Sequence, residues 1–362
     1  MNDRVCVIMA GGVGERFWPL STPGRPKQLL KLTSPDKTMI HEAVERIAPV
    51  FKSDALYISA SEALREPVLG AKLVDPTRVF TEPTRRNTLG AQCWVAANLI
   101  AAGRADVTIA VLTSDHMIGE PDRFRGSISA AMSAAEHYGG IVTIGILPTR
   151  AESGYGYIEE GDPDEMPSIG DRTALRARSF REKPSVETAE EFLAAGNFLW
   201  NSGMFFYTLP SFLDELLRWQ PQAHEATLAI AEDLKDGRRT DATKRFESLP
   251  NISIDYAIME HSDRIRVIRA DFPWDDVGAW DAMDRTRQCD EKGNVIEGEV
   301  LVADSQNCIA LCYHPKLRLG LLGLADMVVV AGEDAVLICH KRDAQRVRLL
   351  ANQDAPDGRG NP

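Results

Sequence analysis

The chain of 362 residues carries 41 Lys and Arg against 53 Asp and Glu, a net charge of −12, which argues against binding nucleic acid or an anionic membrane by bulk charge. Hydrophobic residues make up 44% and charged residues 26%, as in folded globular proteins, which excludes wholesale disorder. At about 150 residues per domain, the length predicts two domains, or one large α/β domain with an appendage.

No apolar run is long enough for the core of a signal peptide or for a membrane span. We therefore expect no membrane association and a cytoplasmic location, and the net negative charge leads us to expect no nucleic-acid partner. The cysteines form no CxxC pair and have no His at zinc-finger spacing, which argues against a structural metal site. We expect them to be buried free thiols in a reducing compartment: Cys6, Cys93, Cys289, Cys308, Cys312 and Cys339.

In the first half of the chain, predicted strands and helices alternate. Short apolar runs predict strands at 5–10, 55–60, 106–112 and 141–147. Helical spacing of apolar residues predicts helices at 39–50, 87–102 and 124–138, and Asn87 or Thr88 is available as N-cap of the second. This order predicts a Rossmann-like, mixed but mostly parallel sheet flanked by helices.

The middle of the chain is mixed, with strands predicted at 174–180 and 204–207 and helices at 186–195, 212–219 and 223–234. Ser185 caps the first of these helices and Gly196 ends it.

The composition shifts after about Cys289 to short β-rich runs separated by turns, at 295–296, 299–302, 308–311, 317–322, 327–330 and 335–338. This spacing predicts a small all-β module of the β-helix type, although no strict hexapeptide repeat is present. We predict an α/β domain at 1–290, a β-helix-like domain at 291–353 and a disordered polar tail at 354–362.

The strongest chemical signal is the segment AGGVGERFWPL at 10–20, which follows the first strand directly. Gly11, Gly12 and Gly14 let the backbone approach a phosphate closely, and successive amides then form an anion-binding concavity. Arg16 and Lys27 add the charge that a triphosphate requires. A plain tight turn with surface cations is the alternative, and the offsets of these two cations argue against it.

Two familiar nucleotide motifs do not match this loop. A Walker A loop ends in Gly-Lys-Ser/Thr, whereas Gly14 is followed by Glu15 and Arg16. A Rossmann fingerprint needs a third glycine that opens a helix, and Phe17-Trp18-Pro19 stands here instead. A dinucleotide-dependent oxidoreductase is therefore disfavoured.

Two carboxylates are candidate metal ligands. Asp115 follows a predicted central strand, and Asp276 lies far away in sequence in a Trp/Gly-rich turn. Two hard oxygen ligands converging on one site suit Mg²⁺ shared with substrate phosphates. Asp is also a common turn former, and Asp275 is equally valid on chemistry alone. His116 either orients Asp115 or simply packs.

Taken together, the motifs resemble those of sugar-1-phosphate nucleotidyltransferases, specifically bacterial mannose-1-phosphate guanylyltransferases. The matching segments are AGGVGERFWPLS (10–21), PKQ (26–28), EPTRRNT (82–88), SDH (114–116), GYGYI (154–158), REKP (181–184), WNSGMF (200–205), SIDYAIME (253–260) and WDDVGAW (274–280). They extend over nearly the whole chain up to the tail, and the ordered set is far more specific than one glycine loop.

The resemblance implies an Mg²⁺-dependent enzyme that converts GTP and α-D-mannose 1-phosphate into GDP-mannose and pyrophosphate. The sugar phosphate, largely a dianion at pH 7, attacks the α-phosphorus in line without a general base. In this family pattern Arg16 and the glycine amides hold the leaving phosphates, and Lys27 stabilises the α-phosphoryl group. Asp115 and Asp276 form the metal pair, with Asp275 a distant second.

The resemblance also assigns the remaining site residues. Lys183 binds the phosphate of the sugar substrate and Glu182 binds a sugar hydroxyl, although Lys183 by itself is typical of a solvated surface residue. Asn201 and Gly156 complete the sugar site, although by themselves they are typical of turns. The expected catalytic residues are Arg16, Lys27 and Lys183. The expected nucleotide-binding residues are Gly11, Gly12, Gly14, Arg16, Lys27, Arg86, Asn87, Thr88, Ser114 and Asp115.

One departure from the family pattern is Leu89-Gly90, which follows Thr88 where Ala-Pro is usual, and it puts the fine base contacts in doubt. Trp18 and Trp200 either stack on bases or sugars or pack in the core. The family resemblance implies a left-handed β-helix at the C-terminus and a homodimer. Runs 317–322 and 327–330 are either a subunit contact or the core of the module.

Several alternatives stay open. The enzyme could instead use another nucleotide, or glucose or heptose 1-phosphate, because a few hydrogen bonds between protein and substrate decide between such similar molecules. A non-catalytic regulatory paralogue would be expected to lack Arg16, Lys27, Asp115 or Asp276, all of which are present. A further sugar-phosphate isomerase domain, found in longer relatives, is not expected in this chain.

Overall fold

The structure, a computed structural model, describes residues 3–12, 14–163 and 172–354. Contacts divide the chain into two compact units: the described residues of 1–11, 44–113 and 119–273, and those of 12–43, 114–118 and 274–362. The domain boundaries expected at 290 and 353 stay predictions. The tail expected at 354–362 lies outside the described residues except for Asp354. Within the described ranges, no helix has the length and apolar character needed to cross a membrane.

The strands are numbered along the chain, and the second unit contains β5 and β11 to β17. They are β1 Asp3–Ala10, β2 Leu56–Ser61, β3 Val79–Glu82, β4 Val107–Thr113, β5 Met117–Ile118, β6 Ile141–Ile146, β7 Tyr157–Pro163, β8 Ala174–Arg181, β9 Phe198–Thr208, β10 Ile265–Arg269, β11 Trp274–Asp275, β12 Val295–Glu297, β13 Val300–Ala303, β14 Ile309–Cys312, β15 Leu319–Leu322, β16 Met327–Ala331 and β17 Val336–His340.

The first unit is built on one sheet with the strand order β3-β2-β1-β4-β9-β6-β10-β8-β7. Parallel pairs join β1 to β2 and β4, β2 to β3, and β6 to β10. The antiparallel partners are β9 with β4, β6 and β7, and β8 with β7 and β10. Within this sheet, β8 and β9 run in one direction and the other seven described strands run in the opposite direction. This arrangement confirms the predicted mixed, mostly parallel sheet.

Helices of the first unit flank its sheet, and those predicted from the sequence are present; the last two helices of the chain belong to the second unit. The α-helices are α1 Met39–Ile47, α2 Arg65–Gly70, α3 Asn87–Ala101, α4 Pro121–Tyr138, α5 Val186–Ala195, α6 Leu209–Trp219, α7 Pro221–Lys235, α8 Arg239–Glu247, α9 Met283–Thr286 and α10 Arg348–Gln353. α4 packs on β4, β6 and β9, and α3 packs on β3 and α7. Covered on both sides, β4 and β6 are continuous buried runs rather than alternating ones.

The C-terminal part of the second unit is a β-helix-like coil, as predicted. β14 pairs in parallel with β12 and β16, β13 pairs in parallel with β15, and β17 closes the larger sheet in antiparallel fashion. Alternate side chains face two cores: Ile309 and Leu311 join Phe17 and Trp280, whereas Ala310 packs with the second cluster. The turn that follows the glycine loop is thus part of the core of this unit.

Several local predictions can be compared with the structure. Ser185 Oγ accepts a hydrogen bond from the Thr188 amide at 3.2 Å, and Gly196 ends α5 at φ 72°, both as expected. α3 begins at Asn87, so Arg86 rather than Asn87 or Thr88 is its N-cap residue, but the Asn87 side chain does accept a hydrogen bond from the Thr88 amide at 2.8 Å. The strand expected at 204–207 is longer, because Gly203 at φ 70° lies inside β9 and does not end it.

The structure contains a helix for which the sequence made no prediction, and one further expectation is corrected. α8 was missed, because only Ala242 and Phe246 of this polar helix are buried. The cysteines are free thiols as expected, but Cys289 is exposed and Cys339 is half-buried, so their predicted burial was wrong. Cys289 lies in a polar stretch of the sequence, next to Asp290 and Glu291, whereas Cys339 packs at the edge of the hydrophobic core of the second unit.

Candidate functional sites

The glycine loop needs glycine at one position above all. Gly14 has a φ of 67°, and a Cβ there would lie 2.3 Å from Lys27 Cβ and 2.8 Å from the Lys27 backbone nitrogen. The next two backbone N–H groups, of Glu15 and Arg16, have no hydrogen-bond partner among the described residues. Free successive amides of this kind form an anion-binding concavity.

Lys27 lies against this loop and is 6% exposed. Its Nζ donates to Asp115 Oδ2 at 2.9 Å and to the backbone oxygen of Asp276 at 2.7 Å. The three predicted residues, distant in sequence, therefore meet in the second unit. Burial, the largest influence, raises the pKa of the Asp115 carboxyl, but the charge of Lys27, the strongest opposing influence, and the hydrogen bond that Lys27 donates help to leave the pKa below its usual value.

The two neighbouring aspartates have different surroundings. Asp275 is buried, accepts a hydrogen bond from the Val277 amide at 2.7 Å and pairs with Arg285 Nε at 2.6 Å. Asp276 instead lines the cavity with Lys27 and Asp115. Val277, a β-branched residue at φ 48°, follows directly, so the chain accepts backbone strain where Asp276 is positioned.

The cavity beside the glycine loop has a volume of about 310 Å³ and lies within the second unit. Arg16 and Arg348 are its guanidinium groups, and neither bonds to a described side chain or backbone oxygen. Sequence reasoning missed Arg348, because this residue belongs to none of the motifs that the sequence contains. The lining residues are Gly14, Glu15, Arg16, Lys27, Asp115, His116, Asp276, Gly278 and Arg348.

His116 packs and also lines the cavity. Its ring lies edge-on to Trp274 with centroids 5.3 Å apart, and its Nδ1 accepts from Trp274 Nε1 at 3.2 Å. Burial is the main cause of a lowered pKa of His116, which favours the neutral imidazole that can accept this hydrogen bond. Ser114, just before Asp115, is buried.

A divalent cation fits the donor set of this cavity. No described residues form a group of three or more His, Cys, Asp or Glu side chains that would hold a metal by themselves. Asp115 and Asp276 offer two hard carboxylates, and a Cβ on Gly278 would lie 2.7 Å from Asp276 Oδ2. Mg²⁺ sites for phosphoryl transfer use one or two carboxylates and complete the shell with phosphates and water.

A second cluster of predicted residues lies in the first unit. Asn201 donates its backbone N–H to the carbonyl oxygen of Gly156 at 2.8 Å, and Lys183 Nζ lies 3.1 Å from Glu182 Oε1. A Cβ on Gly156 would lie 2.6 Å from Glu182 Oε2 and 3.3 Å from Asn201 Cβ. Glycine is therefore what lets the carboxylate and the amide approach each other.

Two acidic residues of this cluster were not assigned from the sequence. Asp255, in the π-helical turn Asp255–Met259, accepts from Asn201 Nδ2 at 3.0 Å, and Glu260 Oε1 accepts from the Glu182 amide at 2.9 Å. Burial, aided by the charge of Glu182, raises the pKa of Asp255 to about 7. Burial likewise raises the pKa of Glu182, with Lys183 opposing it.

Asn201 is fixed in orientation by its neighbours. Its Oδ1 accepts from Thr143 Oγ1 at 3.0 Å and from the Gly203 amide at 3.3 Å, while its Nδ2 donates to Asp255. An amide that is held on both sides presents its remaining N–H in one direction only.

The predicted nucleotide-binding residues in the segment after β3 differ in the hydrogen bonds that they form within the protein. Arg86 donates from Nε to the carbonyl oxygen of Glu247 at 3.0 Å and from Nη1 to that of Arg85 at 3.2 Å. Thr88 Oγ1 accepts from the Ile254 amide at 3.0 Å, and Asn87 begins α3 at φ 55°. These bonds engage much of the hydrogen-bonding capacity of Arg86 and Thr88 within the protein.

Glu82, at the end of β3, is a buried carboxyl that sequence reasoning left without a role. Its Oε1 accepts from Ser59 Oγ at 3.1 Å and lies 3.9 Å from the position of a Cβ on Gly11. Burial raises the pKa of Glu82 to about 7.

The two tryptophans singled out in the sequence both pack within the protein. Trp18 lies against the core of the second unit, and its Nε1 donates to Asp354 Oδ2 at 2.9 Å. Trp200 is 3% exposed and contacts Tyr155 edge-on, with the Arg150 guanidinium over its ring.

Comparison with known families gives two matches that together extend over most of the chain. Residues 5–292 match a family described as nucleotidyl transferase. Residues 298–353 match a family described as MannoseP isomerase/GMP-like beta-helix domain.

Individual proteins are similar over nearly the whole chain. The alginate biosynthesis protein AlgA of Pseudomonas aeruginosa is 36% identical over 98% of this chain and 72% of its own length. A protein named mannose-1-phosphate guanylyltransferase from Escherichia coli is 34% identical over 98% of this chain and 74% of its length. A crystal structure described as mannose-1-phosphate geranyltransferase from Thermus thermophilus superposes with a TM-score of 0.84, at 33% identity over 97% of this chain and 99% of that one.

Proposed function

The chain belongs to the nucleotidyl transferase family, and we propose that it transfers GMP from GTP to α-D-mannose 1-phosphate, giving GDP-mannose and pyrophosphate. The observation that carries the reaction class is the cavity where the Gly14 loop, Lys27, Asp115 and Asp276 meet. The choice of GTP and mannose 1-phosphate rests on the full-length similarity to proteins named for that reaction.

The second unit supplies the groups for the nucleotide. The free amides of Glu15 and Arg16 and the Arg16 guanidinium bind the β- and γ-phosphates, which leave as pyrophosphate. Lys27, positioned by Asp115 and the Asp276 carbonyl, neutralises charge that develops at the α-phosphoryl group. Gly14 is needed because any side chain would displace Lys27.

Nucleotidyl transferases of this family generally use a divalent metal ion. We propose Mg²⁺, held by Asp115 and Asp276, since Asp275 is already engaged by Arg285. When bound, the ion supplies positive charge that neutralises the phosphates. The protein contributes the two carboxylates and, through Gly278, the room for one of them.

The first unit supplies the groups for the sugar phosphate. Lys183 binds its phosphate, while Glu182 and the remaining N–H of Asn201 bind sugar hydroxyls. Gly156 allows Glu182 and Asn201 to lie side by side. Because the sugar phosphate is already ionised near neutral pH, the protein needs to bind and orient it rather than remove a proton.

The contacts also refine the nucleotide-binding assignments after β3. Arg86 is tied to the Glu247 carbonyl, which supports a role in anchoring the segment. Arg85 is exposed and donates no side-chain hydrogen bond to a described residue, so it is the more available cation for a nucleotide. Roles for Asn87, Thr88, Ser114, Gly11 and Gly12 in nucleotide binding remain proposals.

The proposal also includes the domain organisation, the oligomeric state and the cellular location of the protein. A catalytic domain ending near residue 290 and a β-helix-like domain are supported by the two family matches. A homodimer through the C-terminal module is supported by exposed Leu301, Leu322 and Ile338, since apolar surface often marks an interface. A reducing cytoplasmic location is supported by the free thiols.

The test is pyrophosphate release by the full chain with Mg²⁺, four nucleoside triphosphates and mannose, glucose and heptose 1-phosphates in all combinations. The highest kcat/KM is expected for GTP with mannose 1-phosphate. A different preferred pair would keep the reaction class and replace the substrates. Binding of GTP without release for any sugar would instead support a regulatory protein that has kept the fold.

A further inference from the structure

The cavity beside the glycine loop contains a cation that the family motifs do not include. Arg348 begins α10, far in sequence from the other lining residues, and shares the cavity with Arg16 and Lys27. Its guanidinium forms no ion pair with the described acidic residues. A cation without a partner, placed in a cavity that suits an anion, requires an explanation.

The position of Arg348 is fixed by its own element. Val347, just before it, is 3% exposed and belongs to the core that contains Phe17. Just after α10, Asp354 accepts a hydrogen bond from Trp18 Nε1 at 2.9 Å. Both ends of the short helix are therefore attached to the segment that carries Arg16, and α10 packs on the turn Glu15–Phe17.

The charge balance of the cavity shows why a further cation matters. Among the described lining residues, the carboxylates of Glu15, Asp115 and Asp276 face Lys27, Arg16 and Arg348. Lys27 is already paired with Asp115. Without Arg348, the carboxylates would outnumber the cations, and an incoming triphosphate would meet a negative surface.

We propose that Arg348 binds the β- and γ-phosphates of the nucleoside triphosphate together with Arg16, so that the C-terminal segment completes the triphosphate site. The proposal rests on the proposed function for the identity of the nucleotide. A guanidinium presents paired N–H donors that match phosphate oxygens, which a lysine cannot reproduce. Arg348 therefore contributes to binding the triphosphate and, in the reverse reaction, to binding pyrophosphate.

The experiment compares ligands that have and lack the leaving phosphates. Calorimetry with the full chain measures the Kd of GTP, GMP and GDP-mannose, and reverse kinetics give the KM of pyrophosphate. For Arg348→Ala, we expect about 10- to 100-fold weaker GTP and pyrophosphate binding, and no change for GMP or GDP-mannose. Arg348→Lys is expected to recover part of the loss.

Arg342→Ala is the matched control, because Arg342 is an exposed arginine of the same segment that does not line the cavity. It is expected to bind every ligand as the wild type does. Wild-type GTP affinity in Arg348→Ala would overturn the proposal, and so would an equal loss for GTP and GMP. If Arg348→Ala unfolds, Arg348→Gln carries the same comparison, with the melting temperature as the check.

The two proposals fail in different ways. Wild-type protein that binds GTP but transfers no nucleotide to any sugar phosphate would remove the proposed function, while selective loss of GTP affinity in Arg348→Ala would still support this site. Normal turnover in the wild type together with an unaffected Arg348→Ala variant would remove only the role of Arg348.

Discussion

Lys27 Nζ lies 2.9 Å from Asp115 Oδ2, so the cation expected near the α-phosphate also holds a carboxylate expected to bind metal. The same ammonium donates to the Asp276 carbonyl. One buried lysine thus sets the relative position of the two proposed metal ligands. This arrangement makes Lys27 both a charge for the substrate and a positioning group for the acidic pair.

Replacing Lys27 with methionine keeps most of the stem and removes the charge. We expect kcat to fall by at least about 10³-fold, because charge stabilisation at the phosphoryl group and the position of Asp115 are lost together. Pyrophosphate release measures the effect, and circular dichroism checks the fold. The exposed residue Lys31 in the same unit gives the control Lys31→Met, which is expected to keep its activity; a comparable rate for both variants would contradict the assignment.

Asp276→Asn removes one carboxylate and retains the size of the side chain. We expect kcat/KM to fall by about 10²-fold or more and the Mg²⁺ concentration for half-maximal activity to rise, because one hard ligand becomes a neutral amide. A magnesium titration of pyrophosphate release is the measurement. Glu291→Gln, an exposed acidic residue of the same unit, is the control. An unchanged magnesium dependence in Asp276→Asn would argue against this ligand.

The sequence predicted the glycine loop, Lys27, Asp115 and Asp276 because each belongs to a motif with a chemical reason for its residue types. It did not single out Asp276 over Asp275 on chemistry alone, since that distinction depends on Arg285 ten positions further along. Asp255 and Arg348 were missed because their significance is tertiary. Asp255 is marked by its burial beside Asn201, and Arg348 by the packing of α10 on the segment that carries the glycine loop. Neither feature produces a recognisable pattern in the neighbouring sequence.

Arg85 and Arg86 allow a direct test of neighbouring residues. Arg86→Ala loses the hydrogen bonds to the Glu247 carbonyl, and we expect about 1–2 kcal/mol lower stability, allowing for its partial exposure. Arg85→Ala is expected to leave the melting temperature unchanged and to weaken GTP binding. Thermal unfolding and GTP calorimetry on both variants separate the roles. The reverse pattern would return the nucleotide-binding role to Arg86.

Gly156→Ala tests the sugar cluster. A methyl group would lie 2.6 Å from Glu182 Oε2, so the carboxylate must move away from its position beside Asn201. We expect the KM for mannose 1-phosphate to rise about tenfold while the KM for GTP stays the same. Gly154→Ala is the control, since its Cβ would meet only the end of the Glu152 side chain at 3.2 Å. Equal effects of the two variants would contradict the prediction.

Glu82 gives the stability a predictable dependence on pH. Burial raises its pKa in the folded protein to about 7, above the usual value of 4.5. Between these values the folded state holds a proton that the unfolded state has released. The resulting stabilisation is therefore complete below about pH 4.5 and is lost as the pH rises to about 7. At 1.36 kcal/mol per pKa unit, the whole effect is about 3 kcal/mol at most.

Glu82→Gln stays neutral at every pH and can still accept the hydrogen bond from Ser59. We expect its free energy of unfolding relative to that of the wild type to increase steadily between pH 4.5 and 7, because only in the wild type does a buried carboxyl have to ionise. Urea unfolding at several pH values measures the difference. Glu62→Gln, at an exposed position of the same unit, should differ from the wild type by a constant amount. A constant difference for Glu82→Gln as well would show that this carboxyl titrates alike in both states, because unequal proton binding is the only source of the slope.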